Sequence, residues 1–186
     1  METSAKQEEG SEIINRVSTS QLVTLNLEDY YEPTPRVLFD IKQWLFQEMI
    51  LKEKDFREHI KSHDWSQYKN KNVAITCSAD AVVPTWAYML LSISLQPHAR
   101  CVVFGSLAEL ETQLFFSALR TIDWEKFRHA KVVIKGCSKV DVPIAVYVEA
   151  TNQLCPVATS IMYGEPCSTV PLYKKNFLRK SEIKTS

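Results

Sequence analysis

The chain has 186 residues, of which 45% are apolar and 24% charged, with 22 basic and 22 acidic side chains. These values are typical of one globular domain, and the balanced charge excludes a strong attraction to nucleic acid or to a membrane surface. No stretch reaches the ~18 apolar residues that a membrane span requires. The polar, acidic first twelve residues exclude a secretory signal. We therefore expect a cytoplasmic protein with a flexible tail over 1–12, a single domain over 13–175 and a flexible basic tail over 176–186.

The first part of the domain mixes strand, turn and helix signals. Apolar residues alternate with polar ones over 23–27, which predicts a half-buried strand. The prolines within 33–35 then interrupt regular structure. Asp40 is a good capping residue for a helix that the apolar spacing predicts over 41–49. A further helix is predicted over 55–63 by the same helical spacing.

From residue 72 onward, short apolar runs alternate with longer helical patterns. The predicted strands are 73–76, 101–104 and 131–135, and the predicted helices are 86–95, 107–118, 143–154 and a short one from Pro156 to Gly164. The helix over 86–95 is apolar on every side, so we expect it to be buried. This alternation predicts an α/β fold in which helices pack on one mostly parallel or mixed sheet. No internal repeat is apparent.

Three of the five cysteines lie in Cys-Ser dipeptides at the ends of regular elements, namely Cys77, Cys137 and Cys167. Cys77 and Cys137 each follow a predicted strand. If those strands are neighbours in one parallel sheet, both thiols emerge at the edge where open α/β folds hold their ligands. Cys101 and Cys155 lie in apolar surroundings instead, and we expect them to be buried.

Three interpretations of this trio remain open. In the first, the thiolates bind zinc or an iron–sulfur cluster, with Asp80, Glu165 or His63 as a further ligand or a partner of a ligand. No C-x-x-C pair is present, so the zinc-ribbon signature is absent. In the second, Cys77 is a nucleophile or sulfur acceptor. The start of the following helix and a cation such as Arg36 would lower its pKa, and Asp80 or His63 would orient or deprotonate it. In the third, the cysteines are interior thiols at crowded strand ends.

Several longer motifs carry a family resemblance: KEKDFREHI at 52–60, HDWSQY at 63–68, CSADA at 77–81, VPTWAYML at 83–90 and MYGEPCSTVP at 162–171. Together they resemble an uncharacterised bacterial family, classed as a domain of unknown function, over roughly residues 12–175. Members of that family are often encoded beside iron–sulfur assembly proteins of the sulfur-mobilisation type. The resemblance therefore implies a role in cluster or sulfur handling, with those assembly proteins as partners, but no established activity.

A second likeness concerns the order of elements. A helix over 55–60, a strand, an apolar helix and the run 102–105 together resemble the core of anti-sigma-antagonist (STAS-type) domains, which are interaction modules. In that family a phosphorylatable serine starts the helix after the strand, and here only Thr85 could serve. The leading hypothesis is an iron–sulfur or sulfur accessory protein with a thiolate site. The alternatives are a STAS-like interaction module and a thiol enzyme that uses Cys77.

Overall fold

The computed structural model describes residues 22–135, 139–165 and 167–175. In these ranges the chain forms seven strands and four α-helices. Their bounds are β1 Leu22–Asn26, β2 Arg36–Asp40, α1 Glu53–Ser62, β3 Asn72–Thr76, α2 Thr85–Leu95, β4 Cys101–Phe104, α3 Leu107–Leu119, β5 Lys131–Lys135, α4 Ile144–Leu154, β6 Ser160–Glu165 and β7 Ser168–Lys174. The predicted α/β class is confirmed. None of these helices has both the length and the apolar content needed to cross a membrane.

The strands form two sheets rather than one. The small sheet has the order β2-β3-β4 and is wholly parallel. The large sheet has the order β1-β5-β6-β7, in which β7 alone runs antiparallel. Because β3 and β5 lie in different sheets, the premise that the strands preceding Cys77 and Cys137 are neighbours is wrong. The argument for a shared thiol edge therefore does not apply.

The predicted helix over 41–49 is also wrong. Asp40 does cap a turn, since its carboxylate accepts a hydrogen bond from the Lys42 amide at 3.0 Å. That turn is a single 3-10 turn, Ile41–Trp44. Gln47 and Glu48 have φ values of 51° and 58°, which a right-handed helix excludes. The capping signal was genuine, but the backbone after it does not continue as a helix.

The short helix predicted from Pro156 is in fact strand β6. An apolar run of this length has no period that separates helix from strand, so strand pairing decides. Gly164, which was expected to end the helix, lies inside β6 with φ 122°. A Cβ added there would lie 2.6 Å from the Ser168 carbonyl oxygen, so the close approach of β7 requires glycine at this position.

The structure also corrects the expectation that the chain has no internal repeat. β1 and β2 correspond at a shift of 14 residues, from Leu22 to Arg36, and β3 and β5 at a shift of 59, from Asn72 to Lys131. The same shift of 59 relates α2 to α4 and β4 to β6, and all the strand registers then coincide. Identical residues recur at corresponding places: Asp64 and Asp123, Trp65 and Trp124, Ile75 and Ile134, Pro84 and Pro143, Tyr88 and Tyr147, Gly105 and Gly164.

The two halves share one helix. In the first half, α1 and α2 pack on one face of the small sheet, and Phe56 and Leu91 lie in that core. In the second half, α3 and α4 pack on the large sheet, and Phe115 of α3 lies in that core. A different side of α3 brings Leu110 against Ala74 on the opposite face of the small sheet. α3 thus packs against both sheets and joins the two halves into one unit.

Candidate functional site

Cys77 lies at the carboxyl end of the small sheet, directly after β3. Its half-buried thiol donates to the carbonyl oxygen of Ala79 at 3.7 Å. The next residue, Ser78, donates its amide and its hydroxyl to the Asp40 carboxylate, at 3.0 and 2.5 Å. Tyr88 of α2 is close by: burial, and after it the neighbouring Cys77 and Asp40, raise the pKa of its hydroxyl. These side chains form a small polar cluster at the strand ends.

Asp40 holds the loop after β3 in place, and its charge makes this contribution depend on pH. Partial burial acts to raise the pKa of Asp40, but hydrogen bonds from Ser78 and Lys42 outweigh it, and the pKa is lowered. A carboxylate with a lowered folded-state pKa stabilises the fold above its unfolded-state pKa. That stabilisation is lost as the pH falls through the folded-state value.

We therefore expect Asp40→Asn to lower the free energy of unfolding by about 1–3 kcal/mol at pH 7. The difference from the wild type should begin to shrink below about pH 4, where the unfolded-state carboxylate takes up a proton, and shrink further as the folded-state carboxylate does so at lower pH. Urea unfolding of both proteins between pH 7 and pH 3 measures this dependence. Asp80→Asn, at an exposed position in the same loop, is the control and should change little. A difference that stays constant with pH would contradict the role assigned to Asp40.

The other described ligand candidates lie in two separate places. Asp80 is exposed in the loop that follows Cys77. Cys167 is exposed in the turn between β6 and β7 of the large sheet. Glu165 ends β6 and has its Oε2 3.9 Å from Lys135 Nζ at the end of β5. Asp80 and Cys77 therefore follow a strand of the small sheet, whereas Cys167 and Glu165 belong to the large one.

Among residues 22–135, 139–165 and 167–175, no three His, Cys, Asp or Glu side chains form a group able to hold a metal ion. Cys137 lies outside the described residues, so the three-thiolate site stays a prediction. The internal repeat accounts for part of the Cys-Ser pattern, because Cys77 and Cys137 follow corresponding strands. The two cysteines are 60 residues apart, whereas the repeat has a shift of 59, so they are one position out of step and Cys77 corresponds in sequence to Gly136.

Arg36 and His63, two predicted helpers of Cys77, both have other polar partners. Arg36 starts β2 and pairs with Glu111 of α3 at 2.8 Å. It lies at the amino end of the sheet, four residues or about 13 Å along β2 from Asp40, so the expectation that it activates Cys77 is wrong. His63 ends α1, where its Nε2 is 3.0 Å from the Tyr68 hydroxyl. Partial burial lowers the pKa of His63.

Sequence reasoning missed a groove beside β4, at the edge of the small sheet. A cavity of about 440 Å³ opens there, and it is lined by Ile75, Thr85, Tyr88, Met89, Ser92, Val102 and Phe104. Phe104 is 67% exposed and Met89 is 61% exposed, although both are large and apolar. The Phe104 ring packs edge-on against Tyr88 at a centroid distance of 5.0 Å. We call this surface the β4 groove.

The β4 groove corrects the prediction that α2 is buried all round. α2 buries Ala87, Leu91 and Leu95, but Met89 and Ile93 on its other side remain exposed. The sequence signal for this exposed surface was that α2 is apolar on every side, whereas a helix with one buried face needs apolar residues on that face alone. A helix that is apolar on every side and stands at a sheet edge leaves one apolar face uncovered.

In the other half, β7 pairs with the strand edge that corresponds to this edge of β4. Tyr163 and Ile161 of β6 correspond to Phe104 and Val102 of β4. β7 places Val170 opposite Tyr163 and Tyr173 opposite Ile161, and Tyr173 packs against the core of the large sheet. Within the described part of the chain, β4 pairs with β3 alone. The two halves therefore differ at this edge by one strand.

Comparison with known proteins gives one match. The family model of DUF2480, described as a protein of unknown function, matches residues 11–175 of this chain. No curated protein and no solved structure matches it. The match covers both sheets and the whole repeat, and we conclude that this chain belongs to the DUF2480 family.

Proposed function

We propose that the protein is an interaction module, without catalytic activity, that accepts an extended strand on the outer edge of β4. The observation that carries this proposal is the difference between the two halves: β6 has β7 on its outer edge, and the corresponding edge of β4 has no described strand. The β4 groove beside that edge has an apolar lining of the kind that receives alternate side chains of an added strand.

The composition of β4 supports the same function. Its four residues, Cys101–Phe104, include no proline and no charge. Edge strands that are not used for binding usually carry such residues, because they prevent pairing with other chains. β7, the outer strand of the large sheet, has Pro171 and Lys174, and β2, at the other edge of the small sheet, has Arg36 and Asp40. β4 and β1, the other edge strand of the large sheet, lack this protection, and of these two it is β4 that lies beside the apolar β4 groove.

A peptide with the sequence of β7, Ser168–Lys174, is the natural probe because it covers the corresponding edge in the other half. We expect a fluorescein-labelled copy to bind the full chain saturably, and Met89→Asp to weaken this binding at least about tenfold, since a charge would enter the apolar groove. Val148→Asp is the matched control, because Val148 holds the corresponding position in α4 and is 56% exposed. Peptide binding that is absent, or equally affected by both substitutions, would contradict the proposal.

A thiolate function is the second candidate, and the position of Cys77 favours it. Cys77 follows a parallel strand beside Asp40 and Tyr88, in the region where α/β sheets commonly hold ligands. In one version of this proposal, Cys77 forms a zinc or iron–sulfur site with Cys137 and Cys167, and iron–sulfur assembly proteins are the partners. In another version, Cys77 acts alone as a nucleophile.

Metal content tests the thiolate candidate directly. Protein purified anaerobically without a metal-affinity tag should contain near-stoichiometric zinc or iron, with acid-labile sulfide if a cluster is present. Replacing Cys77, Cys137 or Cys167 by Ala should sharply lower the bound metal, whereas Cys101→Ala should not. Equal metal content in all four variants would exclude the three-thiolate site.

A further inference from the structure

We propose that the strand that occupies the β4 groove is β4 of a second copy of this chain, so that the protein forms a twofold-symmetric dimer through its small sheet. The inference rests on the proposed strand-accepting function and names its partner. The dimer would contain one continuous sheet in the order β2-β3-β4-β4-β3-β2, with the two β4 strands antiparallel. A twofold axis between identical strands produces this antiparallel arrangement.

The large sheet indicates which side chains an added strand must supply. β7 runs antiparallel to β6 and places a valine, Val170, opposite Tyr163, and an aromatic residue, Tyr173, opposite Ile161. The corresponding residues of the small sheet are Phe104 and Val102. A strand that fills the β4 groove in the same way therefore needs a valine opposite Phe104 and an aromatic residue opposite Val102.

β4 meets this requirement itself. In an antiparallel pair of β4 strands centred on Val103, the Val102 of one copy lies opposite the Phe104 of the other, and the reverse pair forms at the same time. Both side chains lie on the face that carries α2, since Val102 packs with the core beneath that helix and Phe104 contacts Tyr88. The exposed Phe104 of each copy would then enter the β4 groove of the other.

The charges next to β4 agree with this register. Centring the pair on Val103 brings Arg100 of one copy beside Ser106 of the other. Ser106 begins α3, and its amide donates to the Glu109 carboxylate at 2.6 Å. Arg100, whose side chain is largely exposed, already pairs with Glu32 within its own chain at 2.7 Å. A basic side chain of one copy therefore meets an acidic helix start of the other, and no like charges face each other.

Sedimentation velocity of the full chain tests the dimer. We expect a species of twice the 21.4 kDa chain mass that dissociates on dilution. Met89→Asp should raise the dimer dissociation constant at least about tenfold, because a symmetric interface receives the charge twice. Val148→Asp, the matched control, should leave it unchanged. The β7 peptide should compete with the second copy and shift the wild type toward monomer.

The register has its own test. Val103→Cys places a thiol at the centre of the pair, opposite the same position of the second copy. The Cβ atoms of directly opposed strand residues are typically about 4.5–5.5 Å apart. Mild oxidation followed by proteolysis and mass spectrometry should recover a disulfide that joins position 103 to itself. The wild type treated in the same way controls for the native cysteines. A dimer without this cross-link would overturn the paired-strand geometry.

The sedimentation and peptide-binding results together distinguish the dimer from the strand-accepting function. A chain that stays monomeric to about 100 μM but binds the β7 peptide in a Met89-dependent way would overturn the second copy as occupant and leave the strand-accepting function standing. A monomer that does not bind the peptide would overturn both. A dimer sensitive to Val148→Asp and not to Met89→Asp would place the interface elsewhere and overturn the inference alone.

Discussion

Replacing Phe56 by alanine is expected to lower the free energy of unfolding by about 3–5 kcal/mol, the range observed for large aromatic residues in protein cores. Phe56 is fully buried beneath the small sheet. Its ring packs edge-on against Trp44 and Trp86, at centroid distances of 5.5 and 5.7 Å. Removing the ring would leave a cavity whose walls are large, closely packed side chains that can relax only in part. Urea unfolding followed by tryptophan fluorescence measures the loss.

Because of the internal repeat, the same substitution can be made at the position that corresponds to Phe56 in the other half. Phe115 corresponds to Phe56 and is buried in the core of the large sheet. Phe115→Ala should therefore cost a similar amount. Because α3 is packed against both sheets, each variant should still unfold in a single transition, with the same midpoint by fluorescence and by circular dichroism. Ile144→Ala, at a position 82% exposed, is the control and should stay within about 0.5 kcal/mol. Two separate transitions would show that the halves unfold independently.

Replacing Arg36 by lysine is expected to cost about 2–4 kcal/mol, because Arg36 connects the start of β2 to α3. Its guanidinium donates two hydrogen bonds to the Glu111 carboxylate, at 2.8 and 2.9 Å, and others to the carbonyl oxygens of Glu32 and Thr34. The Arg36 side chain is only 13% exposed. A lysine ammonium cannot form the two parallel bonds and would leave carbonyl and carboxylate oxygens without their donors.

A double-mutant cycle with Glu111→Gln isolates the pair. The Arg36 and Glu111 substitutions should combine to less than the sum of their separate effects, since each already breaks the same bonds. Arg57→Lys provides the surface control: Arg57 forms an exposed ion pair with Glu53 one helical turn away, and such pairs contribute little. Strict additivity of the Arg36 and Glu111 substitutions would contradict the role of this pair in joining β2 to α3.

Most of the regular elements lie where helical apolar spacing or a short apolar run predicts them. All four α-helices, and strands β1, β3, β4 and β5, lie where apolar spacing places them to within a few residues. The sequence does not predict β7, because Pro171 interrupts its pattern, or β2, because Arg36 and Asp40 enclose only three apolar residues. It predicts a helix at β6, because a short apolar run does not distinguish helix from strand.

The candidate site was predicted less well, for a physical reason. That Cys77 lies in a loop after a strand follows from local pattern, and the structure agrees. Whether two such loops meet depends on which strands pair, and strand pairing is a contact between residues far apart in the chain. The same holds for the repeat: only a few identities survive between its halves, because a core constrains apolar volume and pattern more tightly than residue identity.

The sequence by itself determined the α/β class, the four α-helices and the apolar character of every side of α2. Only the tertiary structure decided that the strands divide into two sheets, that α3 serves both cores, and that, among the described residues, β7 pairs with β6 while β4 pairs with β3 alone. Local preferences act through neighbouring residues and can be read along the chain. The exposure of Phe104 and Met89 depends on the placement of distant strands, which packing of the whole molecule decides.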